Sequence, residues 1–250
     1  MTDLHLTSTS RAEDASYQAL ADSAQAAGRD PAWRILGGHM VNLHATLAGV
    51  RLPLRATRDA DLAVEVLAIR DGGLLERLRS LGYDNSRSGN RFEKGTGTTA
   101  VATIDLLVPS YTSSHVPNLD AGPIAVDGIP ALHVALARPP VSVTLHVATS
   151  TGAELATTVQ LPELPAAIAV KTFAYVSRRA PRDAQDLHRL LESAFLTGVE
   201  WPSGPTFREA SDDLTRHFDS PGHGLRSVAS DTATRTRMRA LVRTLSIPPS

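Results

Sequence analysis

Apolar positions recur at helical spacing from Arg11 to Ala27, with Tyr17, Leu20 and Ala24 on one side and Gly28 closing the run, which predicts an N-terminal capping helix. Trp33 to Leu36 is a short apolar run ending at Gly37-Gly38. His39 to Ala48 then sets Met40, Leu43 and Leu47 at helical spacing, with His44 on the same side, so strand, glycine turn and helix follow one another. After the polar, proline-containing connection Arg51 to Arg58, residues Ala60 to Leu67 predict a second strand that begins at Asp59-Ala60-Asp61. Leucines at 74, 75, 78 and 81 mark an amphipathic helix within Asp71 to Leu81, stopped by Gly82. Asp84 to Gly97 is rich in turn formers, with Arg91-Phe92-Glu93 as a short strand. Thr98 to Val108 is a β-branched strand that carries Asp105 and halts at Pro109.

Ser110 to Pro140 is punctuated by proline and glycine, with a short strand expected around Ile124 to Val126 and another over Val141 to Val147. The pattern then turns helical. Leu164 to Tyr175 is apolar at helical spacing, Pro181 opens a helix through Leu191, and Ser211 to Phe218 and Thr232 to Leu245 predict two more. The sum is an α+β plan. A mixed-sheet lobe with flanking helices occupies residues 1–150, residues 1–30 being its N-terminal helical segment, and a C-terminal helical lobe occupies 160–250. A ligand is expected in the cleft between them.

Composition narrows the chemistry. The 250 residues include no cysteine, which removes disulfides, thiolate zinc sites and cysteine nucleophiles and fits a cytoplasmic protein. No apolar run reaches the roughly 18 residues a membrane span needs, and the first residues lack the order of an export signal. With 25 basic against 26 acidic residues there is no whole-molecule field to attract nucleic acid, although a local basic groove stays open. Only Lys94 and Lys171 are lysines, the other 23 basic residues being arginines. The histidines form no His-x-x-x-His pair with an adjoining glutamate, and serine-hydrolase and P-loop motifs are missing.

Three features carry candidate chemistry. Gly37-Gly38 follows a strand, and is either a tight turn or a place where backbone N–H groups approach phosphate. Asp59 and Asp61, two apart on a strand, leave the same face about 7 Å apart and can reach one ion, or else form a solvated strand entry. Asp105 stands among apolar neighbours and needs a partner, which is an arginine, the solvent face of the sheet, or the same metal site. His39 beside the glycines could contact phosphate, but a helix-surface histidine is expected.

Taken together, Ile35-Leu36-Gly37-Gly38-His39, Arg55-Ala56-Thr57-Arg58-Asp59-Ala60-Asp61-Leu62 and Ile104-Asp105-Leu106-Leu107 resemble the glycine pair, paired aspartates and third aspartate of the nucleotidyltransferase superfamily. The Arg-x-Thr-x-Asp-x-Asp-Leu form is similar to the AbiEii/AbiGii toxin-type branch of type IV toxin–antitoxin systems. So is the stretch from Ala166 to Leu187, with Lys171, Arg178, Arg179, Asp183 and Asp186. Gly38 departs from the family's Gly-Ser form. The resemblance implies Mg²⁺ held by Asp59, Asp61 and Asp105, with Asp105 also activating an acceptor hydroxyl. It implies an NTP bound by Gly37, Gly38, Arg55, Thr57, Lys171 and Arg178, and a role for Asp183 and Asp186 in orienting Lys171 or gripping nucleotide. Read from the residues alone, Asp183 and Asp186 are a salt-bridged helix surface. Transfer of NMP to a tRNA end by a toxin with a cognate antitoxin is the activity implied. A small-molecule, antibiotic-type transferase and a non-catalytic nucleotide- or protein-binding domain are the alternatives. Arg178, Arg179, Arg182 and Arg189 would form a basic stripe suited to RNA.

Overall fold

In the computed structural model, residues 2–28, 32–96, 100–219 and 223–246 are described. The chain begins with β1 (Thr2–Thr7) and α1 (Arg11–Ala27), then β2 (Trp33–Ile35), α2 (Gly37–Leu47), β3 (Asp59–Val64), α3 (Val66–Arg70) and α4 (Gly73–Ser80). Strands β4 (Asp84–Ser88) and β5 (Arg91–Gly95) lead to β6 (Val101–Pro109), β7 (Val116–Asp120), β8 (Ala125–Ile129), α5 (Leu132–Ala137), β9 (Val141–Ala148) and β10 (Glu154–Leu161). The rest is helical, with α6 (Leu164–Arg178), α7 (Pro181–Thr197), α8 (Pro205–Leu214), a π-helical turn at Thr215–Asp219, α9 (His223–Val228) and α10 (Thr232–Ser246). The fold is α+β, as the periodicities predict.

A seven-stranded mixed sheet runs β2-β3-β6-β5-β4, with β8 also paired to β6 and β7 to β8, and a separate three-stranded sheet runs β1-β9-β10. Strand alternation divides the large sheet cleanly. Ala60, Leu62, Val64, Ile104, Leu106 and Val108 share one core with α1 and α4, whereas Ala63 and Leu107 belong to the other, built on α2, α5 and the C-terminal helices. The second core thus draws on both ends of the chain. Leu36, just before α2, and Met40 and Val41 within it pack with Phe173, Leu187 and Leu191 in this core, which fixes the start of α2 between sheet and helical lobe.

Several elements differ from expectation. The helix α1 is no peripheral cap, for Ala15, Ala19, Leu20 and Ala26 are buried and it touches β3, β6 and β10. Its small residues let the backbone approach both sheets. Ser10 fixes its start by accepting from the Glu13 N–H at 3.2 Å. β3 ends at Val64 rather than Leu67: its pairing with β2 reaches its limit at Trp33, the first residue of that strand, its pairing with β6 stops at Leu107, and the chain turns into α3, leaving Leu67 exposed. The apolar spacing does not mark β1, β4, β7, β10, α3, α5 or α9. The expected helix Ser211 to Phe218 instead starts at Pro205 and loosens into the π-helical turn. The start of the expected strand at Thr98 lies outside the described residues. Among the described residues no helix is long and apolar enough to cross a membrane.

Because α1 is core, Leu20→Ala should lower unfolding free energy by about 3 kcal/mol, while Leu67→Ala should stay within about 0.5 kcal/mol of wild type. Urea denaturation of the two variants checks the contrast.

Candidate active site

β3 and β6 run parallel, with Asp61 opposite Asp105 and Asp59 opposite Thr103. Residues facing one another across a ladder point to the same side, as do residues two apart, so all three carboxylates leave one face of the sheet. That face is the one on which Ala63 and Leu107 meet the C-terminal helices. The aspartates therefore stand where the sheet emerges from beneath the helical lobe.

Asp61 lies deepest. Its carboxylate sits against Gly37, the first residue of α2, so closely that a Cβ on Gly37 would overlap Asp61 Oδ2. Gly37 also has φ +62, a left-handed conformation that favours glycine. A Cβ on Gly38 would overlap Thr57 Oγ1 and crowd the guanidinium carbon of Arg55 at 3.3 Å. The glycine pair is thus shaped by the chain's own Asp61, Thr57 and Arg55, and the start of α2 has no side-chain cap hydrogen bond among the described residues. Loss of solvation, followed by repulsion from Asp59 and Asp105, pushes the Asp61 carboxyl up to about 7, against the pull of Lys171 and Arg178.

Asp105 has an arginine partner. Arg91 Nε and one terminal nitrogen donate to the two oxygens of Asp105 at 2.8 and 2.7 Å, and the same terminal nitrogen stands 3.7 Å from Asp59 Oδ2. Burial is modest, with 43% of the Arg91 side chain exposed. Among the described residues no three acidic or imidazole groups are close enough together to ligate one ion as they stand. A set of three carboxylates nevertheless has the hard oxygen chemistry of a magnesium site, and Asp61 gains most from a cation. As they stand, Asp105 is held by Arg91, while Asp59 is approached by it at 3.7 Å.

The helical lobe supplies the opposing charges. Pro181 opens α7, which places Asp183 and Asp186 in its first turns, and both are buried rather than on a helix surface, at 1% and 0% exposure. Helices α6 and α7 enclose them. Lys171 Nζ donates to Asp186 Oδ2 at 2.8 Å and stands 3.6 Å from Asp183, while Arg178 donates twice to Asp183 at 3.1 and 3.0 Å. Arg55 donates to the same Asp186 oxygen at 2.8 Å, so the connection before β3 is tied to α7. Arg189 points inward, 3.5 Å from Asp186 Oδ1 with its Nε on the Pro53 carbonyl, which breaks the expected basic stripe. Asn42 clamps the Arg55 backbone, donating to its carbonyl at 2.7 Å and accepting from its N–H at 3.2 Å.

His39 is not a surface histidine. The helix α1 covers it, Ser16 Oγ lies 2.8 Å from its Nε2, and burial pulls its pKa down to about 4, so the ring is neutral. Lys94, the other lysine, serves a separate buried group, donating to Asp22 at 3.0 Å beside the Tyr83 hydroxyl. Comparison with known protein families finds none whose model this chain matches, and comparison with characterised proteins finds no significant match. The geometry stands on its own. Asn42, Arg91 and Arg189 join the predicted residues as neighbours of the site; Arg91 could have been reached from sequence only through the pairing register of β5 with β6.

Two substitutions in this site should act in opposite directions. Asp61 binds its proton more tightly folded than unfolded, so its contribution to stability falls as pH rises from about 4 to about 7 and then levels off. Asp61→Asn should accordingly gain on wild type across that window, by on the order of 1 kcal/mol at pH 8 after allowing for solvent screening. Lys171→Met should lose about 3 kcal/mol at the same pH, because two buried carboxylates lose a cation. Denaturation midpoints at pH 5 and pH 8 check both signs.

Proposed function

We propose that this protein is a cytoplasmic, magnesium-dependent nucleotidyltransferase that moves a nucleoside monophosphate from an NTP to an acceptor hydroxyl. The acceptor in this reading is a tRNA end, and the protein is a toxin with a cognate antitoxin. The observation that carries the proposal is the set Asp59, Asp61 and Asp105 on one sheet face, with Asp61 against the glycine start of α2.

Asp59 and Asp61 would hold the ion, with Asp105 completing the set. When bound, Mg²⁺ supplies charge neutralisation to the triphosphate and its leaving pyrophosphate. The N–H groups at the start of α2 suit phosphate oxygens, which the helix dipole also favours. Arg55 and Thr57 stand beside Gly38, and the positive charges of Lys171 and Arg178 act on Asp61. As the acceptor oxygen bonds to the α-phosphorus and the bond to the β-phosphate breaks, Asp105, once clear of Arg91, would take the hydroxyl proton. Buried Asp183 and Asp186 hold Lys171, Arg178 and Arg55 in position through the contacts described above.

One observation favours a second reading, a domain that binds nucleotide without turnover: both oxygens of Asp105 are taken by Arg91. Incubation with labelled NTPs, Mg²⁺ and total RNA separates the two. Transfer of label to RNA should fall about 100-fold or more in Asp59→Ala and Asp61→Ala. NTP binding without labelling of RNA, and identical behaviour of wild type and variants, would favour the binding domain.

A further inference from the structure

Arg91 is the first residue of β5 and lies directly opposite Asp105 in the antiparallel ladder. Its fork takes both oxygens of that carboxylate and approaches Asp59, so it spans two of the three acids on this sheet face. Pairing with Asp105 raises the arginine's own pKa further, and the charge is permanent at any working pH. The main chain holds this register firmly. β5 pairs with β6 up to Asp105 and β8 pairs with it from Leu107, while the Leu106 N–H donates to the Asn90 carbonyl at 2.8 Å. The side chain is less confined, being 43% exposed, so it can swing outward without disturbing the core.

A bidentate guanidinium leaves Asp105 no oxygen in its ordinary ligand direction, and it leaves Asp61 without a cation of its own. We propose that Arg91 is a resident counter-ion, or latch, that holds Asp105 and alternates with a divalent cation for it. The inference rests on the nucleotidyltransferase reading for the cation's identity. Without the latch the free protein would carry three facing carboxylates balanced only from the helical lobe. With it, cation binding includes the breaking of two charge-assisted hydrogen bonds, and the third carboxylate becomes a ligand only once the arginine leaves.

Mn²⁺ binding, followed by calorimetry and by the paramagnetic signal of the free ion, tests the latch in wild type, Arg91→Ala, Arg91→Lys, Asp59→Ala and Asp61→Ala. Both Arg91 variants should bind Mn²⁺ about fivefold or more tightly than wild type, since lysine keeps the charge but loses the fork. In ¹⁵N spectra the Arg91 Nε–H resonance, assigned by its loss in Arg91→Lys, should be protected in EDTA and lose that protection on adding Mg²⁺. If Arg91→Lys binds like wild type while Arg91→Ala binds more tightly, charge alone is at work and the latch is wrong. Equal binding by all three also overturns it while leaving the metal site intact. If no protein binds Mn²⁺ and the aspartate variants change nothing, the metal reading itself fails and takes the latch with it. Thermal denaturation in EDTA establishes that each variant is folded, and Arg91→Gln replaces Arg91→Ala if the latter is not.

Discussion

Like charges gathered on one face of a sheet must be balanced. Asp59, Asp61 and Asp105 converge because β3 and β6 are parallel neighbours in a register that sets 61 against 105. The arrangement costs free energy that the protein does not remove, and Asp61 shows this most plainly, with its carboxyl pushed up to about 7. Balance comes from two sides. Arg91 grips Asp105 from the neighbouring strand, and Lys171 and Arg178 act on Asp61 from the helical lobe.

The rest of the fold serves that balance. Alternation along β3 and β6 sends the even-numbered residues into the core under α1 and the odd-numbered ones toward the C-terminal helices, so one periodicity builds a core and a charged face together. Gly37 and Gly38 let α2 begin against Asp61, Thr57 and Arg55, where any side chain would collide. On the far wall, Asp186 gathers Lys171, Arg55 and Arg189, a buried arrangement whose desolvation cost is tolerable only because each charge has an opposite. Arg55 is the link between the walls, since its guanidinium lies beside Gly38 and bonds Asp186.

Much of the fold was legible because its periodicities are strong. The bounds of α1, the strand-glycine-helix step at Trp33 to Leu47 and the pair α6–α7 follow from apolar spacing and from Gly28, Gly37-Gly38 and Pro181. The shared face of Asp59 and Asp61 follows from a spacing of two. The side on which Asp105 falls does not, since it depends on the register between strands forty residues apart in sequence, which local pattern leaves free. For the same reason Arg91 was an expected class of partner but an unidentified residue. The burial of His39, Asp183 and Asp186 arises from what packs over them, and a helix-surface reading of those residues could not foresee it. β1 and β10 give only a weak apolar signal, because at least half of their positions are polar.

The proposed function requires that the three sheet aspartates form one cation site. A crystal soaked with Mn²⁺ and a non-hydrolysable NTP analogue, measured at the manganese absorption edge, tests this most directly. An anomalous peak is expected in contact with both Asp59 and Asp61, bridged to phosphate oxygens, with the Arg91 side chain moved off Asp105. Nucleotide bound elsewhere, or bound here with no peak and Arg91 still on Asp105, would contradict it.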